Sequence, residues 1–243
     1  MKSRNALAHA LVLLLLLAAC GRAGAPRDLT LVPGPVNGVI IERGEGRLVV
    51  YGDPQGTLEA ADAVLLTHHR RDVVWAARAL VEGGASAVGP AGEAAHFTGV
   101  DDYWARFQKD RFHDYEQQST KVLAEPLAVD RAVSGGDTIA WEDLTFQVFD
   151  TPGYTRDAVS YVVEIGGETV AFTGDLIYGD GQILDLYSFQ DAIPEAQIRG
   201  YHGYGARLAG LVSSLRKVAD ERPDLLVPCL LYTSDAADDS ALV

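Results

Sequence analysis

Cysteine is nearly missing from this 243-residue sequence: Cys20 and Cys229 are the two, at opposite ends of the chain. A disulfide framework is thereby excluded as a source of stability. Basic charge is also scarce, with a formal net charge of −14 and no basic stripe along the chain. Such a surface repels phosphate backbones, which argues against a nucleic-acid partner. The apolar run Leu11–Leu17 is too short to span a bilayer stably.

That run is bounded by Lys2 and Arg4 on one side and by the small residues Ala18 and Ala19 on the other, the layout of an export signal. Leu17-Ala18-Ala19-Cys20 resembles a bacterial lipobox, in which cleavage before the cysteine precedes its acylation. Residues 1–19 are therefore expected to be removed, Cys20 to carry lipid and residues 20–27 to act as a tether. Several acyl chains, at ~0.8 kcal/mol per buried methylene, make a stable anchor. Gly21, where an inner-membrane retention signal would place aspartate, points to the periplasmic side of the outer membrane or the cell surface. Loss of Lys2 and Arg4 takes the formal charge from −14 to −16.

The remaining ~220 residues suit one domain or two tightly fused halves. Two β-branched stretches, Val36 to Glu42 and Arg47 to Tyr51, flank the Gly44-Glu45-Gly46 turn and predict a hairpin. A strand over Ala63–Thr67 leads to a helix over Arg70–Glu82, where Val73, Val74, Ala77, Leu80 and Val81 recur at helical spacing before Gly83-Gly84. Ser86–Gly89 predicts another strand and Pro90 opens a short helix through Phe97. Residues 98–135, rich in charge and aromatics, are expected to be an inserted loop or helical excursion. The second half repeats the design with strands at Leu144–Phe149, Val159–Ile165 and Thr169–Phe172, a helix over about Gly205–Glu221 and a strand from Asp224 to Val227. The expected class is α+β, two β-sheets packed face to face with helices outside.

The chemistry sits at strand ends. Thr67-His68-His69-Arg70-Arg71-Asp72-Val73 leaves one strand, Thr151-Pro152-Gly153-Tyr154-Thr155 a second and Thr173-Gly174-Asp175 a third, with Asp53 after the early hairpin. This ordered set resembles the metallo-β-lactamase superfamily over roughly residues 30–228. The resemblance implies an αββα sandwich of two mixed sheets over residues 28–228. It also implies a hydrolase in which His-x-His-x-Asp-His, Thr-Pro-Gly-His-Thr, Gly-Asp and a last histidine hold two metal ions, usually zinc, around an attacking water. His68 matches the first histidine, Asp72 the aspartate and Asp175 the bridging aspartate. Arg70, Val73 and Tyr154 stand at three histidine positions.

Arginine stays protonated and offers no lone pair, so Arg70 cannot ligate; valine contributes nothing, and zinc sites seldom use tyrosine. His68, Asp72 and Asp175 are expected to hold at most one zinc ion; His69 is the obvious substitute ligand, but on the strand-to-helix turn its side chain should point away from His68. Two readings follow. In one, a small-molecule ester, amide or thioester is hydrolysed, with Tyr154 or Arg70 stabilising the oxyanion. In the other, the cleft binds an anionic small molecule with little or no metal, Arg70 compensating for the missing cation. Among the remaining histidines, His96 reads as a capping or surface residue, His113 as part of a solvated charged loop, and His202 as part of a loop that suits a pocket. From Cys229 onward the string resembles translated sequencing-adapter read-through, so residues 229–243 are expected to be foreign to the fold, with Leu230 at the last ligand position.

Overall fold

The computed structural model describes residues 26, 28–110, 122–179 and 204–230, leaving aside the side chains of Asp72, of residues 106–110 and of residues 204–208. Cys20, His113 and His202 lie outside the described residues. The first half opens with β1 (Leu29–Val32), β2 (Gly38–Arg43), β3 (Gly46–Val50) and β4 (Ala63–Leu65). Helix α1 (Arg71–Glu82) and β5 (Ser86–Pro90) come next, then a 3-10 turn (Ala91–Glu93), α2 (Ala94–Thr98), α3 (Val100–Asp110) and β6 (Arg131–Val133). The second half holds β7 (Thr138–Trp141), β8 (Leu144–Asp150), β9 (Val159–Ile165), β10 (Glu168–Gly174), α4 (Tyr204–Asp220) and β11 (Leu225–Pro228).

These strands form two mixed sheets, ordered β1-β2-β3-β4-β5-β6 and β11-β10-β9-β8-β7. In the first, β1 to β3 pair antiparallel and β3 to β6 parallel. In the second, β7 to β10 are antiparallel and β11 adds parallel to β10.

Period-two alternation builds the layers. Ile41, Leu48, Val50 and Leu65 share one buried cluster with Phe146, Val148, Tyr161 and Phe172 of the second sheet. Their chain neighbours Ile40, Val49, Val64 and Leu66 join Val74, Ala77 and Leu80 of α1 in another. Val162 and Ala171 pack with Leu211 and Val218 of α4 in a third. The order is helix, sheet, sheet, helix, the αββα sandwich expected from the sequence. No described helix is long and apolar enough to cross a membrane.

The insertion expected over 98–135 is resolved in part into structure: α3 occupies its start, and β6 near its end pairs with β5 as the edge of the first sheet. Only three residues long, β6 carries too little alternation to announce itself. The packed chain also runs past the boundary expected at Pro228, since Cys229 and Leu230 are buried in the main core.

Candidate active site

Four connections meet at one end of the sandwich, and backbone constraints bring them together. Gly174 has a φ of 58°, and a Cβ there would collide with the Tyr154 hydroxyl and with Thr67 Oγ1. The loops after β4, β8 and β10 thus touch where glycine alone fits. The buried Tyr51 hydroxyl accepts from Gly174 N at 3.0 Å and donates to Val227 O at 2.6 Å, tying the Gly174-Asp175 turn to β11. Beyond β11, Cys229 N donates to Gly174 O and Asn37 N to Cys229 O. Val159 N donates to Thr67 O across the two halves.

Asp175 is fully buried at the centre. Its Oδ2 lies 3.6 Å from His68 Nε2 and 3.4 Å from Arg70 Nη1, while Oδ1 accepts from Cys229 Sγ at 2.6 Å. His68 shares a 2.9 Å hydrogen bond between Nδ1 and Thr67 Oγ1, which turns Nε2 toward Asp175. Tyr154 sets its ring edge-on to His68 at 4.8 Å between centroids. Burial first, then the negative charge of Asp175 and, more weakly, that of Glu93, raise the Tyr154 pKa well above that of a free phenol. Tyr154 is therefore a neutral hydroxyl at physiological pH, a hydrogen-bond donor rather than a phenolate ligand.

The structure brings together His68, Arg70, Tyr154 and Asp175 from the set read in the sequence. His69, the substitute ligand, points away from His68, as its place on the turn implies. Its backbone N and ring Nδ1 both donate to Glu93 Oε2, at 2.7 and 2.6 Å, because the extended backbone at the turn sends neighbouring side chains to opposite sides. His96, read as a cap or surface residue, stacks on the His69 ring at 4.2 Å. Asp72 sits in the first turn of α1 with its side chain outside the described residues. Asp53 serves its own loop: its carboxylate accepts from Gln55 N, Thr57 N and Leu58 N. Two residues escaped the sequence reading, Glu93 and Cys229. A single carboxylate following the Pro90 turn carries no motif, and Cys229 lay inside the stretch that resembles read-through.

His68, Asp175 and Cys229 offer nitrogen, oxygen and sulfur donors within 4.8 Å of one another, all buried. Such a set suits one zinc-like ion with a position open to substrate. Among the described residues no further group of donors gathers for a second ion. Arg70 brings a fixed cation to the same carboxylate, and Val73 is packed into the core between the sheets.

An αββα sandwich with strand-end ligands gathered between its halves defines a metallohydrolase scaffold. The chain belongs to the metallo-β-lactamase superfamily, whose family model matches residues 56–229. It is 29% identical over 150 residues to an atrochrysone carboxyl ACP thioesterase from Passalora fulva, covering 57% of this chain and 43% of that protein. It is 24% identical over 147 residues to a hydroxyacylglutathione hydrolase from Hahella chejuensis, covering 58% and 46%. The chain thus spans less than half the length of either. Among solved structures, the class B3 di-zinc metallo-β-lactamase LRA-12 from an Alaskan soil metagenome is similar at a TM-score of 0.59 and 16% identity, covering 83% of this chain and 75% of that one. The metallo-β-lactamase SMB-1 reaches 0.60 and 18%, covering 84% and 77%. These likenesses show a shared fold; that fold hosts many chemistries and does not by itself make β-lactams the substrate.

Proposed function

We propose that the chain is a hydrolase of thioesters or related esters whose site holds no more than one metal ion. The observation that carries this reading is the convergence of His68, Asp175 and Cys229 on one small volume beside Arg70 and Tyr154. The thioesterase and hydroxyacylglutathione hydrolase activities of the two curated relatives favour thioesters over amides. When bound, a zinc-like ion supplies Lewis acidity and eases the deprotonation of water. Asp175 and His68 hold it, and Thr67 fixes the His68 ring. The neutral Tyr154 hydroxyl donates a hydrogen bond to developing negative charge, and the Arg70 guanidinium supplies fixed positive charge next to it.

The test is turnover of a simple thioester, such as an S-acyl N-acetylcysteamine, by the purified chain. Hydrolysis is expected, and Asp175→Asn and a strong chelator should each reduce it to background. Turnover indifferent to both would remove this reading. The 3.4 Å approach of Arg70 to Asp175 favours one alternative, an anion-binding cleft without metal. That version predicts no turnover and no zinc, yet retained binding of a small carboxylate that Arg70→Met abolishes.

We also propose that the mature protein is exported and lipid-anchored through Cys20, on the strength of the Leu17-Ala18-Ala19-Cys20 pattern. Membrane fractionation checks it. The wild type is expected to sediment with membranes and Cys20→Ala to be released or left unprocessed; an identical distribution and mass for both would contradict the anchor.

A further inference from the structure

Tyr51 holds a backbone conformation that bulky residues rarely accept. It follows β3 with a φ of 70°, in the left-handed region where a side chain larger than that of glycine is strained. The residue is fully buried, its N–H donates to Leu65 O at 3.0 Å, and its ring meets Phe172 of the other sheet edge-on at 6.4 Å between centroids. A strained aromatic that crosses from one sheet to the other calls for a reason.

The register between β10 and β11 supplies one. The two strands pair regularly from Val170 with Leu225 to Phe172 with Val227, but the next partners are Gly174 and Pro228, so β10 carries one extra residue at Thr173. This is a β-bulge. Before it the alternation is regular: Phe172 packs between the sheets, Ala171 packs with Leu211 and Val218 of α4, and Thr173 lines a recess with Leu215 and Val218 on that same side. Continued without a break, period two would send Asp175 toward α4 as well. It goes the other way. Asp175 meets His68 of the first half and also Cys229, which is buried between the sheets like Val227 before it. The bulge thus turns the carboxylate toward the site.

A bulge disrupts the ladder locally, and Gly174 N and Val227 O flank this one. A single atom serves both: the Tyr51 hydroxyl oxygen accepts from the first at 3.0 Å and donates to the second at 2.6 Å. Burial holds the Tyr51 pKa well above that of a free phenol, so the proton for the second bond is present. Asn37 extends the grip along the exit of β11, its Nδ2 donating to Pro228 O and its backbone N to Cys229 O.

We infer that Tyr51 is a positioning residue whose hydroxyl splints the bulge at Thr173 and so fixes Asp175 against Cys229. The strain at φ 70° is what aims the ring at that point. The splint stands on geometry; its consequence for metal affinity rests on the hydrolase reading.

Amide hydrogen exchange on the full chain tests the splint without metal or substrate. Tyr51→Phe removes the hydroxyl and keeps the ring, so the Gly174 amide should exchange at least about tenfold faster, over and above any acceleration at Phe172, the scale set by losing one buried hydrogen bond. Equal acceleration at both amides would overturn the inference. Should Tyr51→Phe fail to fold, the wild type decides: Gly174 should be protected to within about tenfold of Phe172, and exchange as fast as in an open loop would overturn the splint. Zinc competition with a chelator gives a second readout. Tyr51→Phe should weaken affinity about tenfold or more, whereas Val163→Ala, a truncation in the core opposite Val170, should stay within about threefold of wild type. Unchanged affinity in Tyr51→Phe, or an equal loss in both variants, would count against a positioning role. A parent chain that takes no zinc would sink the hydrolase reading and leave the exchange data to judge the splint.

Discussion

Asp175→Ala is expected to destabilise the chain by about 3 kcal/mol or more, because it takes the carboxylate from beside a buried guanidinium. Arg70 is 4% exposed and Asp175 fully buried, so water cannot replace the lost counter-charge cheaply. The penalty belongs to the broken pair rather than to the worth of the pair itself. Arg70→Met combined with Asp175→Ala should therefore cost less than the sum of the single changes, with a coupling of roughly 1–3 kcal/mol. Urea unfolding of the four proteins measures it. Additive losses would mean that the 3.4 Å approach carries no energy and that Arg70 is satisfied elsewhere.

Arg70→His with Tyr154→His is expected to convert a weak site into one that binds zinc firmly. Arg70 Nη1 reaches Asp175 Oδ2, and the Tyr154 ring lies 4.8 Å from that of His68, so an imidazole at either position starts next to the donors. The exchange adds two neutral donors and removes a fixed positive charge from beside Asp175. Strand ends already shape the site, so little reorganisation is required. At zinc concentrations about 1,000 times the dissociation constant, binding to the native state alone adds about 4 kcal/mol, several degrees in midpoint for a domain of this size. Thermal unfolding with and without zinc checks it. A folded double variant that zinc does not stabilise would mean that these side chains do not converge as the wild-type geometry implies.

Much of this architecture was legible in the sequence because burial writes a period. β-Branched, apolar stretches bounded by turn glycines marked β2, β3 and β9, and helical spacing marked α1 and α4 within a residue or two. The short strands β1, β6 and β7 were missed, since three or four residues carry little periodic signal and sheet pairing defines them. The site was half legible. His68, Arg70, Tyr154 and Asp175 stood at family positions and do converge, whereas His69 turned to a partner 24 residues away that no local pattern names. Glu93 and Cys229 are matters of tertiary contact. Cys229 is placed by β11 pairing with β10 and by its hydrogen bonds to Gly174 and Asn37.

Zinc content per chain, measured by elemental analysis of the purified protein after dialysis against a mild chelator, bears most directly on a site with Arg70, Val73 and Tyr154 at three histidine positions. No more than one equivalent is predicted. Two tightly held equivalents would contradict the account, because other residues would then have to complete a second ion's shell against the Arg70 charge.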